Sequence, residues 1–145
     1  MNIFEAIRED HDIQRELLDK LMDTSGSSET RKQYFAELKA ALTHHEVAEE
    51  RYFYAPLMEF DNTMEPCRHA VAEHHEIDEL IEKVEEADMS SAAWMAHMKN
   101  LQHKVLHHLK EEEREFFQQA GKVLTGDQKQ ELADAYQQEM QAQSK

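Results

Sequence analysis

A chain of 145 residues with a formal net charge of −15 is long enough to bury one core and, with no local cluster of Lys and Arg, too acidic to suit nucleic acid or an anionic membrane surface. Hydrophobic residues make up 40% and charged residues 32%, and only three Gly and two Pro interrupt the pattern, which favours an all-α domain. No apolar run approaches the roughly 20 residues that span a bilayer. The first ten residues lack the apolar stretch of an export signal, and the lone Cys67 cannot form an intramolecular disulfide. A soluble cytoplasmic protein is the expectation.

Phe4, Ile7, His11, Gln14, Leu18 and Leu21 recur at spacings of three and four, predicting a first helix over about residues 3 to 22. Thr24 to Ser28 is small, polar and short, as a link between antiparallel helices should be. A second helix, about residues 29 to 58, carries Phe35, Leu38, Leu42, His45, Glu49 and Phe53 on one stripe, and Pro56 is expected to kink or end it. Residues 60 to 65 read as the next connection, with Pro66 in the first turn of a third helix over about residues 66 to 87. Its stripe is Cys67, Ala70, His74, Ile77, Ile81 and Val84, so Cys67 reads as a small core residue. After Asp88 to Ser91, a fourth helix runs to about Ala120 through Met95, Met98, Leu101, Val105, His108, Glu112 and Phe116, with Gly121 placed to end it. A short last helix, about residues 126 to 142, offers Leu132, Ala135, Tyr136 and Met140 for packing across the bundle or against another subunit. The sum is an up-down-up-down antiparallel four-helix bundle over about residues 3 to 120 with an extra C-terminal helix, all one domain spanning 1–145.

The chain also repeats itself at an offset of 63 residues: His45, Glu49, Glu50, Arg51 and Phe53 match His108, Glu112, Glu113, Arg114 and Phe116, and Asp10-His11 aligns with Glu73-His74. His11, His45, Glu49, His74, His108 and Glu112 therefore fall where the periodicity demands core. Buried carboxylates are costly unless paired or bound to a cation, and no Lys or Arg shares those stripes. A metal supplies the charge. Residues four apart on a helix are neighbours, so His45 with Glu49 and His108 with Glu112 can each grip one centre, and the repeat provides ligands for two. Imidazole and carboxylate without thiolate suit Fe, Mn or Zn. The other histidines, including His69, His103 and His107, lie off the stripes and read as solvent-facing; Glu46, Glu50, Glu111 and Glu113 read as mostly surface, with Glu46 able to swing in as an extra ligand.

These motifs, Asp10-His11, His45-x-x-x-Glu49-Glu50 followed by Pro56, Glu73-His74 and His108-x-x-x-Glu112-Glu113, resemble the hemerythrin family, in particular its bacterial members with an HHE cation-binding domain. The resemblance covers roughly residues 4 to 120. It implies a four-helix bundle around two iron ions with an oxo or hydroxo bridge, with His11, His45, His74 and His108 as terminal ligands and Glu49 and Glu112 bridging. The family's oxygen carriers have a His-x-x-x-His pair on the third helix, whereas Ala70 and Asp78 flank His74 here, and the fourth helix has His-x-x-x-Glu in place of the carriers' His-x-x-x-x-Asp. That departure leans away from reversible oxygen carriage. The expectation is a non-haem di-iron protein that binds or reduces dioxygen, nitric oxide or peroxide at a partly open centre, as a monomer or homodimer. Weak peroxidase, catalase-like or nitric-oxide-handling activity would follow from such a site; an iron sensor or store without turnover is the alternative.

Overall fold

The computed structural model describes residues 1–144, and every regular element among them is helical. The first helix, α1 (Ile3–Met22), begins at a reciprocal cap in which the Asn2 side chain accepts from the Glu5 N–H and the Glu5 carboxylate from the Asn2 N–H. Gly26, with φ of 63°, takes the left-handed conformation that turns the chain toward α2 (Glu29–Glu49). Ser28 caps α2 by accepting from the Arg31 N–H. A π-helical turn, Glu50–Tyr54, and the three-residue α3 (Ala55–Leu57) complete this second rod. Then come α4 (Asp61–Glu86), α5 (Ala92–Glu111), a second π-helical turn at Glu112–Phe116, α6 (Phe117–Val123) and α7 (Gly126–Gln143). None of the described helices is long and apolar enough to cross a membrane.

Pro56 falls in α3, where the second rod closes, in keeping with its missing N–H. Pro66 and Gly121 do otherwise than the sequence suggests. Helix α4 starts a full turn before Pro66, because Phe60 is extended and the Thr63 hydroxyl donates to the Leu57 carbonyl at 2.6 Å, which anchors the turn ahead of the proline. Gly121 is an ordinary helical residue, and the stop comes at Leu124, which is extended because Thr125 already caps α7.

Helix α1 packs on α2 and α4 on α5, while α7 lies against α1, α2 and the first π turn. Arg31 ties two links together at one end: its guanidinium donates to the carbonyls of Thr24 at 2.6 Å and Met89 at 2.7 Å and stacks over Trp94. Two apolar clusters fill the interior. One holds Leu18, Leu21, Phe35, Leu38, Ile81, Trp94 and Leu101. The other gathers Ile3, Phe4, Ile7, Phe53, Leu57, Phe116, Phe117 and Tyr136. Burying each such Leu or Phe contributes about 1.5–3 kcal/mol, so both clusters act as clamps. Between them, on every long helix of the bundle, the stripe turns polar: His11 and Gln14 on α1, His45 and Glu49 on α2, His74 on α4, His108 on α5 with Glu112 just beyond, all buried.

Candidate metal centre

All six residues singled out by periodicity meet in this polar layer, and none is more than 3% exposed. Donor atoms of His11, His45, Glu49 and Glu112 form one group within 4.8 Å of one another, and those of Glu49, His74 and His108 form a second that shares Glu49. Each carboxylate is approached by a ring from its own rod and a ring from the other half of the repeat. Glu49 Oε1 lies 3.3 Å from His45 Nε2 and 3.1 Å from His74 Nε2. Glu112 Oε1 lies 3.3 Å from His11 Nε2, and its Oε2 is 3.7 Å from His108 Nε2. The rings pair edge to face, His11 with His45 at 5.1 Å and His74 with His108 at 5.0 Å between centroids.

Several of these atoms have no hydrogen-bond partner: His11 Nε2, His45 Nε2, His108 Nε2, Glu49 Oε2 and Glu112 Oε1 are buried and unsatisfied. Native interiors carry few such atoms, because each costs about 1–3 kcal/mol. Here they converge, and their chemistry is that of ligands to a divalent or trivalent transition-metal ion. The donor set fits a metal.

A carboxylate lies behind each ring, in direct hydrogen bond to His11 and His108 and farther off behind His74 and His45, and the pattern follows the internal repeat. His11 Nδ1 donates to Glu113 Oε2 at 2.6 Å, while His74 Nδ1 faces Glu50 Oε2, the equivalent residue, at 3.8 Å. His108 Nδ1 donates to Glu73 Oε1 at 2.9 Å. His45 Nδ1 donates to the Tyr136 hydroxyl, which passes its own proton toward Asp10, and Asp10 also lies 3.5 Å from the ring. Such outer carboxylates fix which ring nitrogen carries the proton and leave the inward nitrogen free to bind metal. Burial opposes ionisation of Glu73, but His108 and Lys104 outweigh it and bring its carboxyl down to about 2. Burial likewise opposes Glu113, where His11 and Arg15 prevail, again at about 2. For His74 burial disfavours the charged ring, yet Glu49 and Glu50 carry it up to about 10.

Two π-helical turns begin beside the clustered glutamates, Glu50–Tyr54 directly after Glu49 and Glu112–Phe116 at Glu112 itself. The wider turn rotates the next residues around the helix axis, and π turns of this kind recur at functional sites. One result is Tyr54, only 1% exposed, whose hydroxyl stands between the carboxylates, 2.7 Å from Glu49 Oε1 and in hydrogen-bonding reach of Glu112 Oε2. A hydroxyl carries a single proton, so the second contact needs one on a carboxylate. Glu112 suits it, since burial and the adjacent Glu49 hold its carboxyl above the usual range.

Glu113 and Glu46 are not the surface residues their positions suggested. Glu113 is tied to His11 and Arg15. Glu46 is buried beside His74 and Asp78, and burial pushes its carboxyl up to about 9; it is not among the donors of the two groups above. Tyr136 has no counterpart in the repeat, and nothing in its local sequence foretold its place behind His45; the alignment of Asp10-His11 with Glu73-His74 was the available signal for the outer carboxylates. His75 and His103 are exposed, and His44 and His97 stay outside the cluster.

A cavity of about 320 Å³ reaches the layer from the α4–α5 side, lined by His69, Ala70, Glu73, His108, Glu111 and Glu112 among others. Ala70, one helical turn before His74, contributes only a methyl group to that wall.

Residues 2–120 match the family model described as the hemerythrin HHE cation-binding domain. No curated protein matches the chain. The crystal structure of a hemerythrin HHE cation-binding domain-containing protein from Mycobacterium kansasii shares the fold, with a TM-score of 0.88 at 22% identity over 99% of this chain and 87% of that one. With the match running through both His-x-x-x-Glu units, the chain belongs to the hemerythrin HHE cation-binding domain family.

Proposed function

We propose that this protein is a non-haem di-iron protein that binds or reduces a small molecule, dioxygen, nitric oxide or peroxide, inside an up-down-up-down antiparallel bundle forming one domain. The observation that carries this reading is the convergence of six buried His and Glu side chains, five of which have an inward atom without a partner. His11 and His45 would hold one ion, His74 and His108 the other, with Glu49 and Glu112 shared between them. Iron in such a pair supplies one- and two-electron redox chemistry toward those molecules. The antiparallel arrangement is supported by the short links and by Arg31, which brings the α1–α2 and α4–α5 connections to one end. A cytoplasmic setting fits the single unpaired cysteine.

The chain's own residues set what the centre can do. Glu113, Glu73 and Tyr136 orient the rings of His11, His108 and His45. Phe53, Phe116 and Phe117, all buried, keep water from one side of the layer. Tyr54 stands where its hydroxyl can hold a proton between the two glutamates. Ala70 leaves space beside His74 and His108 where a ring would close it, which favours a site open to an external molecule. The test is spectroscopic: protein from iron-replete cells should show an oxo-bridged di-ferric absorption that shifts with azide or nitric oxide. A colourless protein indifferent to both would refute the reading.

A second reading, an iron sensor or store, is favoured by the complete burial of Glu49 with Glu112 at its side, which ties stability to the cation that neutralises them. A large rise in melting temperature with iron and no turnover of peroxide or nitric oxide would select it.

A further inference from the structure

Outside the buried cluster the molecule carries another pair of His-x-x-x-Glu motifs, His69 with Glu73 on α4 and His107 with Glu111 on α5. They face each other across the α4–α5 seam. His69 Nε2 lies 3.0 Å from Glu111 Oε1 and 3.5 Å from Glu73 Oε1. His107 Nε2 lies 2.9 Å from Glu111 Oε2 and 4.0 Å from Glu73 Oε2. Donor atoms of His69, Glu73 and Glu111 fall within 4.8 Å of one another, close enough to share one ion. The internal repeat does not explain this arrangement, since the residues 63 positions earlier are Ala6, Asp10, His44 and Ala48.

A second observation points the same way. His69, Glu73 and Glu111 line the cavity of about 320 Å³, which leaves room beside them for an ion and its waters. Glu73 stands between the two sets, 3% exposed, with one oxygen accepting from His108 and the other held by Lys104 at 3.2 Å. We propose that His69, Glu73 and Glu111, with His107 beside Glu111, form a further divalent-cation site at the mouth of this cavity, of the imidazole and carboxylate class that takes Zn²⁺, Co²⁺ or Fe²⁺. The rival is a set of His–Glu hydrogen bonds with no ion. A divalent ion would engage the His69 ring and both carboxylates at once, where a proton joins only two of them.

The site touches the buried cluster through the Glu73–His108 hydrogen bond, and the test keeps the two apart. The metal-free full chain is titrated with Co²⁺, with bound metal counted by equilibrium dialysis and the visible spectrum followed, for the wild type and for His69→Ala/His107→Ala. Both side chains are more than half exposed, at 57% and 56%, so the fold should survive, as circular dichroism and the melting temperature will report. Glu111→Gln serves as a second, isosteric variant. The expected result is one Co²⁺ fewer per chain in each variant, with an unchanged signal from the remaining sites. Because the readout is a difference between proteins that share all six buried residues, it stands even if those residues bind nothing. Equal stoichiometry and equal affinity in wild type and both variants would overturn the proposal.

Discussion

His45 and His108 occupy matching places in a duplicated unit, yet the groups behind the two rings differ. Behind His45 is α7: the Tyr136 hydroxyl, itself bonded to Asp10, seals that side, with Ala133 and Tyr136 packed into the apolar cluster around Phe4 and Phe53. Behind His108 is Glu73, then Lys104 and His69, then a cavity open to solvent. One arm is closed by a helix that the repeat does not contain, and the other is left accessible. The repeat supplies a symmetric set of donors, and the asymmetric wrapping leaves the α4–α5 side of that set the more open.

The largest way to break this comparison is to remove one donor from an arm. His45→Ala or His108→Ala leaves a shared carboxylate short of a partner in the interior, so the metal-free protein should lose about 3–5 kcal/mol in urea unfolding. Metal content should fall with it, measured by elemental analysis. Next come the outer residues. Glu73→Gln removes the carboxylate behind His108 and should weaken metal retention about 10–100-fold in chelator competition. Tyr136→Phe should act on the closed arm with a smaller effect, because Asp10, already 3.5 Å from the His45 ring, can take up the vacated contact. An equal or larger loss from Tyr136→Phe would mean that the hydroxyl, and not the carboxylate behind it, holds the ring.

Filling the cavity sharpens the contrast in access. Ala70→Leu should fill that space and slow azide or nitric-oxide binding in stopped-flow absorbance, with metal content unchanged. Unchanged binding rates would move the entry route to the sealed side. The smallest effect belongs to Cys67, fully buried on α4 against the Tyr54 backbone, with burial raising its thiol to about 12. An aromatic disulfide reagent should leave it unmodified in the native protein and react after unfolding.

The helices and the six clustered residues were legible because both depend on spacing: a polar residue on an apolar stripe is visible at any position, and the repeat carries such interruptions in both of its halves. Boundaries were less so, because Pro66 tolerates a turn of helix ahead of it once Thr63 anchors that turn, and Gly121 need not end a helix whose stop is set by the Thr125 cap. The outer shell was the least legible part. Glu113 and Glu46 are charged residues on strongly charged helices, and sequence alone cannot tell a carboxylate that faces water from one that turns inward behind a ring. Tyr136 lay beyond reach altogether, since its contact with His45 spans 91 positions and depends on where α7 folds back. His69 and His107 lie off the stripes and Glu111 reads as surface, yet two such pairs on neighbouring helices can meet each other.

The most direct test of the central claim, that His11, His45, Glu49, His74, His108 and Glu112 together hold a pair of metal ions, is iron content per chain for the wild type beside Glu49→Ala/Glu112→Ala, both purified from iron-replete cells and dialysed against a mild chelator. The expected result is about two tightly held irons in the wild type and none in the variant. Equal iron in the two proteins, or a wild type that folds and melts identically without any, would contradict it.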